Sequence, residues 1–111
     1  MACVKLVEYA GELISRGYIF RLPASWPYES VVDFMVVDLP DEKFGHSLVV
    51  ASGNKSGLML IQLPIESRAP GHGISTRWLI DNWSKWVYPE CDVNDVFLYE
   101  RSAAPSWVST A

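Results

Sequence analysis

The sequence predicts an α+β domain in which a twisted antiparallel β-sheet of about five or six strands, arranged as a meander, carries one main helix on one face. Short apolar runs alternate with Gly- and Pro-containing turns, as in antiparallel sheets. One segment, at about residues 76–88, changes to helical periodicity. The length of 111 residues suits one core, so residues 1–111 are predicted to form a single domain. Residues 103–111 are expected to fray, and for Trp107 both fraying and docking on the core stay open.

The first half of the chain is predicted to be a series of strands. Residues 1–16 are assigned two short strands, because Gly11 would cost a helix about 1 kcal/mol relative to Ala. A strand at 18–22 ends at Pro23, and the β-branched run 31–39 is predicted to be a central strand. Between them, the Pro-rich loop ASWPYES carries Trp26 and Tyr28.

The second half begins with the strongest local signal. In SLVVASGNKSGLMLIQLP, two apolar runs flank residues that tolerate positive φ angles, which predicts a β-hairpin. The segment ESRAPGHGIS is predicted to be a mobile surface loop without regular structure, because Pro70, Gly71 and Gly73 interrupt it. A final strand is predicted at 95–100.

The predicted helix has identifiable boundaries. Leu79, Trp83 and Trp86 fall on one helical face, so both tryptophans are assigned to the core. Ser75 is placed to cap the first turn, and Pro89 prevents continuation of the helix. The helix is therefore expected to pack on the sheet.

Composition excludes several functional classes. The formal net charge is −4 and no two Lys or Arg residues are adjacent, so direct nucleic-acid binding is not expected. The N-terminus lacks the uninterrupted apolar region of a signal peptide, and no apolar run reaches membrane-spanning length. With only two cysteines, far apart, the chain is expected to be cytoplasmic with reduced thiols and no membrane contact.

Residues with catalytic or metal-binding side chains are few and isolated. His46, His72, Cys3 and Cys91 lack the close paired spacing of structural zinc ligands, so no metal site and no cofactor are predicted. Cys91 lies between two acidic residues whose charges oppose formation of a thiolate. The chain is therefore predicted not to be an enzyme, and a small enzyme using His72 or Cys91 is kept as an alternative.

A binding role is suggested by the aromatic residues and by two short acidic stretches. Surface tryptophans and tyrosines often anchor a protein partner, and acidic patches attract a basic one. The candidate partner-binding residues are Trp26, Tyr28, Asp38, Asp41, Glu42, Glu90, Asp92 and Asp95. The competing interpretation is that the two rings fold under their own loop and that the acids are merely solvated.

Three stretches carry a resemblance to a known family: RGYIFRLPASWPYESVVDFMVVDLPD, SLVVASGNKSGLMLIQLP and ISTRWLIDNWSKWVYPECDVNDVFLYE. They resemble small immunity proteins of bacterial polymorphic-toxin systems, including contact-dependent growth inhibition. The resemblance implies that the partner is the cognate C-terminal toxin domain of a delivered effector, often a nuclease, and that binding occludes the toxin active site.

The resemblance implies no individual interface residue, because toxin specificity varies within such families. The chain is expected to be a monomer or a weak homodimer. A homo-oligomeric binding or structural subunit, associating through its sheet, is the main alternative function.

Overall fold

The computed structural model describes residues 3–38 and 43–100. Its N-terminal part contains strand β1 (Cys3–Lys5), a 3₁₀ turn (Leu6–Glu8) and strand β2 (Leu13–Ile14). The prediction of two short strands here is confirmed. The Tyr9 hydroxyl donates a 2.9 Å hydrogen bond to the Leu13 carbonyl oxygen, which ties the turn to β2.

Four consecutive strands form an antiparallel meander: β3 (Ile19–Pro23), β4 (Val31–Val37), β5 (Ser47–Val50) and β6 (Met59–Gln62). The predicted hairpin is the β5–β6 pair. Its connection contains Gly53 and Gly57, whose φ angles are 71° and 92°. Residues other than glycine rarely adopt such positive φ angles. A β-bulge shifts the register between Leu48 and Val49.

The segment predicted to be an irregular loop contains two short strands, and that prediction is wrong. Strands β7 (Arg68–Ala69) and β8 (Gly73–Ser75) form a small antiparallel hairpin, turned at Gly71 with φ of 100°. Strand β8 also pairs with β2, so a second, three-stranded sheet has the order β2-β8-β7. Pairing with a strand distant in sequence gives this segment its structure.

The predicted helix is confirmed as helix α1 (Thr76–Asn82) followed by a π-helical turn (Trp83–Val87). Ser75 is its N-cap, since its hydroxyl accepts a 3.2 Å hydrogen bond from the Trp78 backbone N–H. The π turn ends where the Tyr88 N–H donates to the Trp83 carbonyl oxygen at 3.2 Å, one residue before Pro89.

The last strand, β9 (Phe97–Tyr99), completes a six-stranded antiparallel sheet of order β1-β9-β3-β4-β5-β6. The predicted α+β class is therefore confirmed, and the meander holds for β3 to β6 only. Strand β9 inserts between β1 and β3, so the two termini of the described chain meet in the sheet. The predicted twist of the sheet stays a prediction.

One face of the large sheet carries the core. Phe20 and Leu22 of β3 and Phe34 of β4 are fully buried there, together with Leu79 of α1. Trp83 is 1% exposed and its ring lies edge-on to Phe20 at 5.5 Å between centroids. The helix therefore packs on the sheet as predicted.

The remaining predictions about the core have mixed outcomes. The core assignment of Trp83 is confirmed, whereas Trp86 is only partly buried and packs beside Trp78 at 6.1 Å. Trp107 and the predicted frayed tail lie outside the described residues. Within the described residues, no helix is both long and apolar enough to cross a bilayer.

Candidate protein-binding surface

The loop between β3 and β4 presents a large aromatic side chain to solvent. Trp26 is 89% exposed and is followed by a cis peptide bond to Pro27. The loop is closed at its base by the Ala24 N–H donating to the Ser30 carbonyl oxygen at 2.9 Å. An exposed tryptophan on a closed loop is suited to anchoring a protein partner.

Tyr28, in the same loop, has a structural role. Its ring makes edge-on contacts with Phe34 at 5.9 Å and with Tyr88 at 6.1 Å between centroids. The competing interpretation, that the rings fold under their own loop, therefore describes Tyr28 and not Trp26. Tyr28 supports the base of the loop from which Trp26 projects.

Glu90 is brought against the Trp26 loop. Its carboxylate accepts hydrogen bonds from the Ser25 hydroxyl at 2.6 Å and from the Tyr88 hydroxyl at 3.3 Å. The Tyr88 oxygen in turn accepts from the Ser25 backbone N–H at 3.2 Å. This triangle joins the aromatic loop and the second acidic stretch, which are distant in sequence.

The other acids of that stretch lie on the 3₁₀ turn Val93–Asp95. Asp92 caps the turn by accepting 2.8 Å hydrogen bonds from the Asn94 backbone N–H and side-chain amide. Asp92 and Asp95 are both exposed. Together with Glu90 they give three exposed carboxylates in the segment that is hydrogen-bonded to the Trp26 loop. We call Trp26, Glu90, Asp92 and Asp95 the acidic end.

The first acidic stretch lies at the other end of the sheet. Asp38 follows the C-terminal end of β4, whereas the Trp26 loop precedes its N-terminal end, about 23 Å away for a seven-residue strand. Asp38 Oδ1 lies 3.6 Å from the Arg68 guanidinium and 3.8 Å from His46 Nε2. Asp41 and Glu42 lie outside the described residues. Asp38 is thus already paired with a cation.

His46 is buried beside Asp38. Its side chain is 1% exposed, and neither ring nitrogen has a hydrogen-bond partner among the described residues. Burial lowers the pKa of His46, while the nearby Asp38 carboxylate partly opposes that shift. The imidazole is therefore held neutral in the folded protein at neutral pH.

Cys91, one of the two residues of the enzyme alternative, is not an activated nucleophile. Burial raises the pKa of the Cys91 thiol, and the Asp95 and Asp92 carboxylates raise it further. Burial and the acidic side chains therefore both oppose the thiolate, and burial makes the larger contribution. His72 is exposed in the turn region between β7 and β8. Within the described ranges, no group of three or more His, Cys, Asp or Glu side chains could hold a metal ion.

A cleft of about 600 Å³ lies at the N-terminal end of α1, beside Glu12, Leu13 and Arg77. Tyr9 lines it, and burial raises the pKa of Tyr9 to about 12, so its phenol stays protonated at neutral pH. That hydroxyl is also engaged with the Leu13 carbonyl oxygen. The cleft therefore gains no activated phenolate from Tyr9.

Sequence reasoning missed the face of the large sheet that points away from the core. Which residues share that face depends on the cross-strand register. Alternation within β3 and β4 indicates that each strand has two faces. It does not indicate which face another layer covers, so the sequence offered no signal for this surface.

Comparison with known proteins identifies a family. Residues 6–98 match the family described as Immunity protein 45, which covers more than half of the chain and includes α1, the Trp26 loop and the acidic turn. No curated protein and no solved structure matches the chain. The chain belongs to the Immunity protein 45 family.

Proposed function

We propose that this chain protects a bacterial cell by binding the cognate toxin domain of a polymorphic-toxin or contact-dependent growth inhibition system and covering its active site. Membership of an immunity protein family supports toxin neutralisation in general and implies a non-catalytic role. The acidic end is the observation that most strongly supports a binding site. There Trp26 is 89% exposed, and the neighbouring Ser25 is hydrogen-bonded to Glu90.

The acidic end has the properties of a protein-binding anchor. Tryptophan contributes strongly to binding when a partner pocket encloses it, and neighbouring carboxylates steer a basic partner toward it. Because the loop is tied to Glu90 through Ser25, Trp26 is positioned before the partner arrives. Preorganisation of this kind lowers the entropic cost of association.

The charge of this surface suggests the kind of toxin. A nuclease grips a phosphate backbone with a cationic cleft, and acidic residues can occupy such a cleft in place of the substrate. Glu90, Asp92 and Asp95 are exposed and lie with no cation between them in sequence. A toxin with a basic active-site cleft, such as a nuclease, therefore fits the acidic end best.

We also propose that neutralisation takes place in the cytoplasm. Both Cys3 and Cys91 are free thiols, and Cys3 is exposed, as a reducing cytoplasm permits. We place the neutralisation there, where a delivered nuclease would meet its substrate.

A growth assay tests the function. A candidate toxin domain, taken from the coding sequence immediately upstream of the gene for this chain, is expressed in a bacterial host, alone or with the chain, beside an unrelated toxin domain. The chain is expected to restore growth against the first toxin and not against the second. The purified chain should also abolish the toxin's activity at stoichiometric amounts. Failure to restore growth, or equal protection against both toxins, would contradict the proposal.

A further inference from the structure

The large sheet carries a continuous apolar stripe on the face opposite the core. Each of the six strands contributes one residue, and neighbouring residues are directly paired across the sheet. Directly paired residues of antiparallel strands point to the same face. In spatial order the apolar stripe consists of Cys3, Tyr99, Ile19, Met35, Val49 and Met59.

The apolar stripe is not part of the core. Within the described part of the chain, none of its six side chains belongs to the buried cluster or packs against that cluster. Cys3 and Met59, at its two ends, are exposed, and the four central residues are half-buried. Six strands at about 4.8 Å spacing make the stripe about 24 Å wide. A partly exposed apolar surface of this width is a candidate interaction site.

The next row of the same face consists of Lys5, Phe97, Arg21 and Asp33, and within it Arg21 and Asp33 neutralise each other. Arg21 donates to both carboxylate oxygens of Asp33 at 2.8 and 2.9 Å, and its guanidinium lies 4.8 Å from the centroid of the Tyr99 ring. The Asp33 contact raises the pKa of Arg21, so the guanidinium stays charged and bound. The centre of this face is therefore apolar with an internally satisfied ion pair.

The face continues toward the acidic end. Pro23 and Val31, paired at the ends of β3 and β4, lie on the same face as Arg21 and Asp33 and are exposed. They stand at the two sides of the loop that carries Trp26. On this face, apolar residues of β3 and β4 therefore lie on both sides of the Arg21–Asp33 ion pair, toward the apolar stripe and toward the Trp26 loop.

The area of a stable interface favours the toxin as occupant. A standard interface buries about 800 Å² on each partner, from about 20–30 residues. One loop tryptophan and three carboxylates are too few to provide that area. The adjoining sheet face provides the remaining surface and a dry centre, while the acidic end provides the charged rim.

From these observations, and resting on the proposed function, we infer that the toxin domain packs against the outer sheet face. Its contact surface then has an apolar centre that covers the apolar stripe and Lys or Arg side chains that meet Glu90, Asp92 and Asp95. The charge of the acidic end, and its position at one end of the strands that carry the stripe, favour this heterologous partner over a second copy of the chain.

A double variant tests this inference. Met35→Glu with Val49→Lys places an opposite-charge pair at directly paired positions, which keeps the net charge and suits an antiparallel sheet. Binding of the upstream-encoded toxin domain should weaken by at least about 30-fold, the loss typical of a hot spot. Ile65→Gln, at an exposed apolar residue in a 3₁₀ turn outside the large sheet, is the matched control and should bind as the wild type does.

Two further measurements keep the test decisive if the double variant does not fold. Met59→Lys changes the half-exposed end of the apolar stripe on an edge strand and should also weaken binding. In the wild-type chain, maleimide alkylation of the exposed Cys3 should slow when the toxin domain is bound. The buried Cys91 serves as the internal reference for unfolding.

The outcomes separate this inference from the proposed function. Tight wild-type binding with unchanged affinity of the stripe variants and unchanged Cys3 alkylation would overturn the stripe as the toxin site and leave the function intact. A wild-type dimer that the double variant converts to a monomer, with unchanged toxin affinity, would assign the face to a second copy and overturn the inference. A wild-type chain that does not bind the toxin domain overturns both.

Discussion

The two ends of β4 carry acidic residues in very different environments. At the N-terminal end, Glu90 accepts hydrogen bonds from Ser25 and Tyr88 beside an exposed Trp26. No cation among the described residues forms a salt bridge with its carboxylate. At the C-terminal end, Asp38 lies 3.6 Å from Arg68 and beside a buried imidazole. Acidic stretches that look alike in sequence therefore differ in what they can offer a partner.

The comparison separates binding from stability. A carboxylate held by neutral donors keeps its negative charge available to a partner, whereas one paired with an arginine is largely neutralised. Changes at the acidic end should therefore alter toxin binding with little effect on folding. Changes near Asp38 and His46 should alter folding with little effect on binding.

The largest expected effect is the loss of the tryptophan anchor. Trp26→Ala should weaken toxin binding by about 2–4 kcal/mol, because a partner pocket would lose its central aromatic contact. Its thermal midpoint should stay close to that of the wild type, since the side chain is exposed. Surface plasmon resonance and thermal denaturation measure both quantities.

The matched control for this prediction is a tryptophan from the core. Trp83→Ala should lower the free energy of unfolding by about 3–5 kcal/mol, because the ring is buried against Phe20. Unchanged toxin affinity of the Trp26→Ala variant would show that the loop is not the anchor.

Removal of charge at the acidic end should slow association. The triple amide variant Glu90→Gln, Asp92→Asn, Asp95→Asn keeps the side-chain shapes and should reduce kon by about tenfold at low salt, equivalent to about 1.4 kcal/mol. Stopped-flow association at several salt concentrations measures this effect, which should fade as salt screens the charges.

Asp38→Asn is the control at the other end of β4, where Arg68 already neutralises the carboxylate. It should leave kon close to the wild-type value. If Asp38→Asn slows association as much as the triple amide variant does, the assignment of the two ends is wrong.

The Asp38 end should make stability depend on pH. The pKa of His46 is lowered in the folded protein, whereas an unfolded histidine titrates near 6.5. Below about pH 6.5 the unfolded state therefore binds a proton that the folded state does not, so the free energy of unfolding falls as pH falls. The slope contributed by this residue is at most about 1.4 kcal/mol per pH unit.

Urea denaturation between about pH 7.5 and 5.5 measures this dependence, because few carboxylates titrate in that window. His46→Gln should show a flatter profile than the wild type, and toxin affinity of the variant at pH 7.5 should be unchanged. Identical slopes for the two proteins would exclude His46 as the source.

The smallest expected effect concerns the positioning of the loop. Ser25→Ala removes the 2.6 Å hydrogen bond to Glu90 while Tyr88 still contacts that carboxylate. Toxin affinity should fall by about 0.5–1.5 kcal/mol, the usual net worth of one hydrogen bond. Calorimetry of Ser25→Ala beside Ser84→Ala, an exposed serine of the π turn, measures this difference. An equal effect of both substitutions would argue against a positioning role for Ser25.

Local chemistry made part of the fold predictable. Ser75 followed by apolar residues at helical spacing identified α1 and its cap, and the Gly-containing turn identified the β5–β6 hairpin. Strands β7 and β8 escaped prediction because Pro70 and Gly71 look like loop residues. β8 pairs with β2, a contact between residues far apart in sequence, and β7 pairs in turn with β8.

The candidate site also depends on contacts between residues far apart in sequence, which the sequence alone does not predict. Trp26 and Tyr28 stand in one loop and are equally aromatic, yet only Tyr28 reaches Phe34 and Tyr88. The apolar stripe depends on the register of five strand pairs, none of which a single strand specifies. Residue types therefore suggested a binding protein, whereas the candidate binding surface could be identified only from the tertiary arrangement.

The most direct test of toxin neutralisation is a calorimetric titration of the chain with the toxin domain encoded immediately upstream of its gene, beside an unrelated toxin domain. We expect stoichiometric binding with a nanomolar Kd, equivalent to about −12 kcal/mol, to the first domain and no heat of binding with the second. No binding to the upstream-encoded domain, or equal binding to both, would contradict the account.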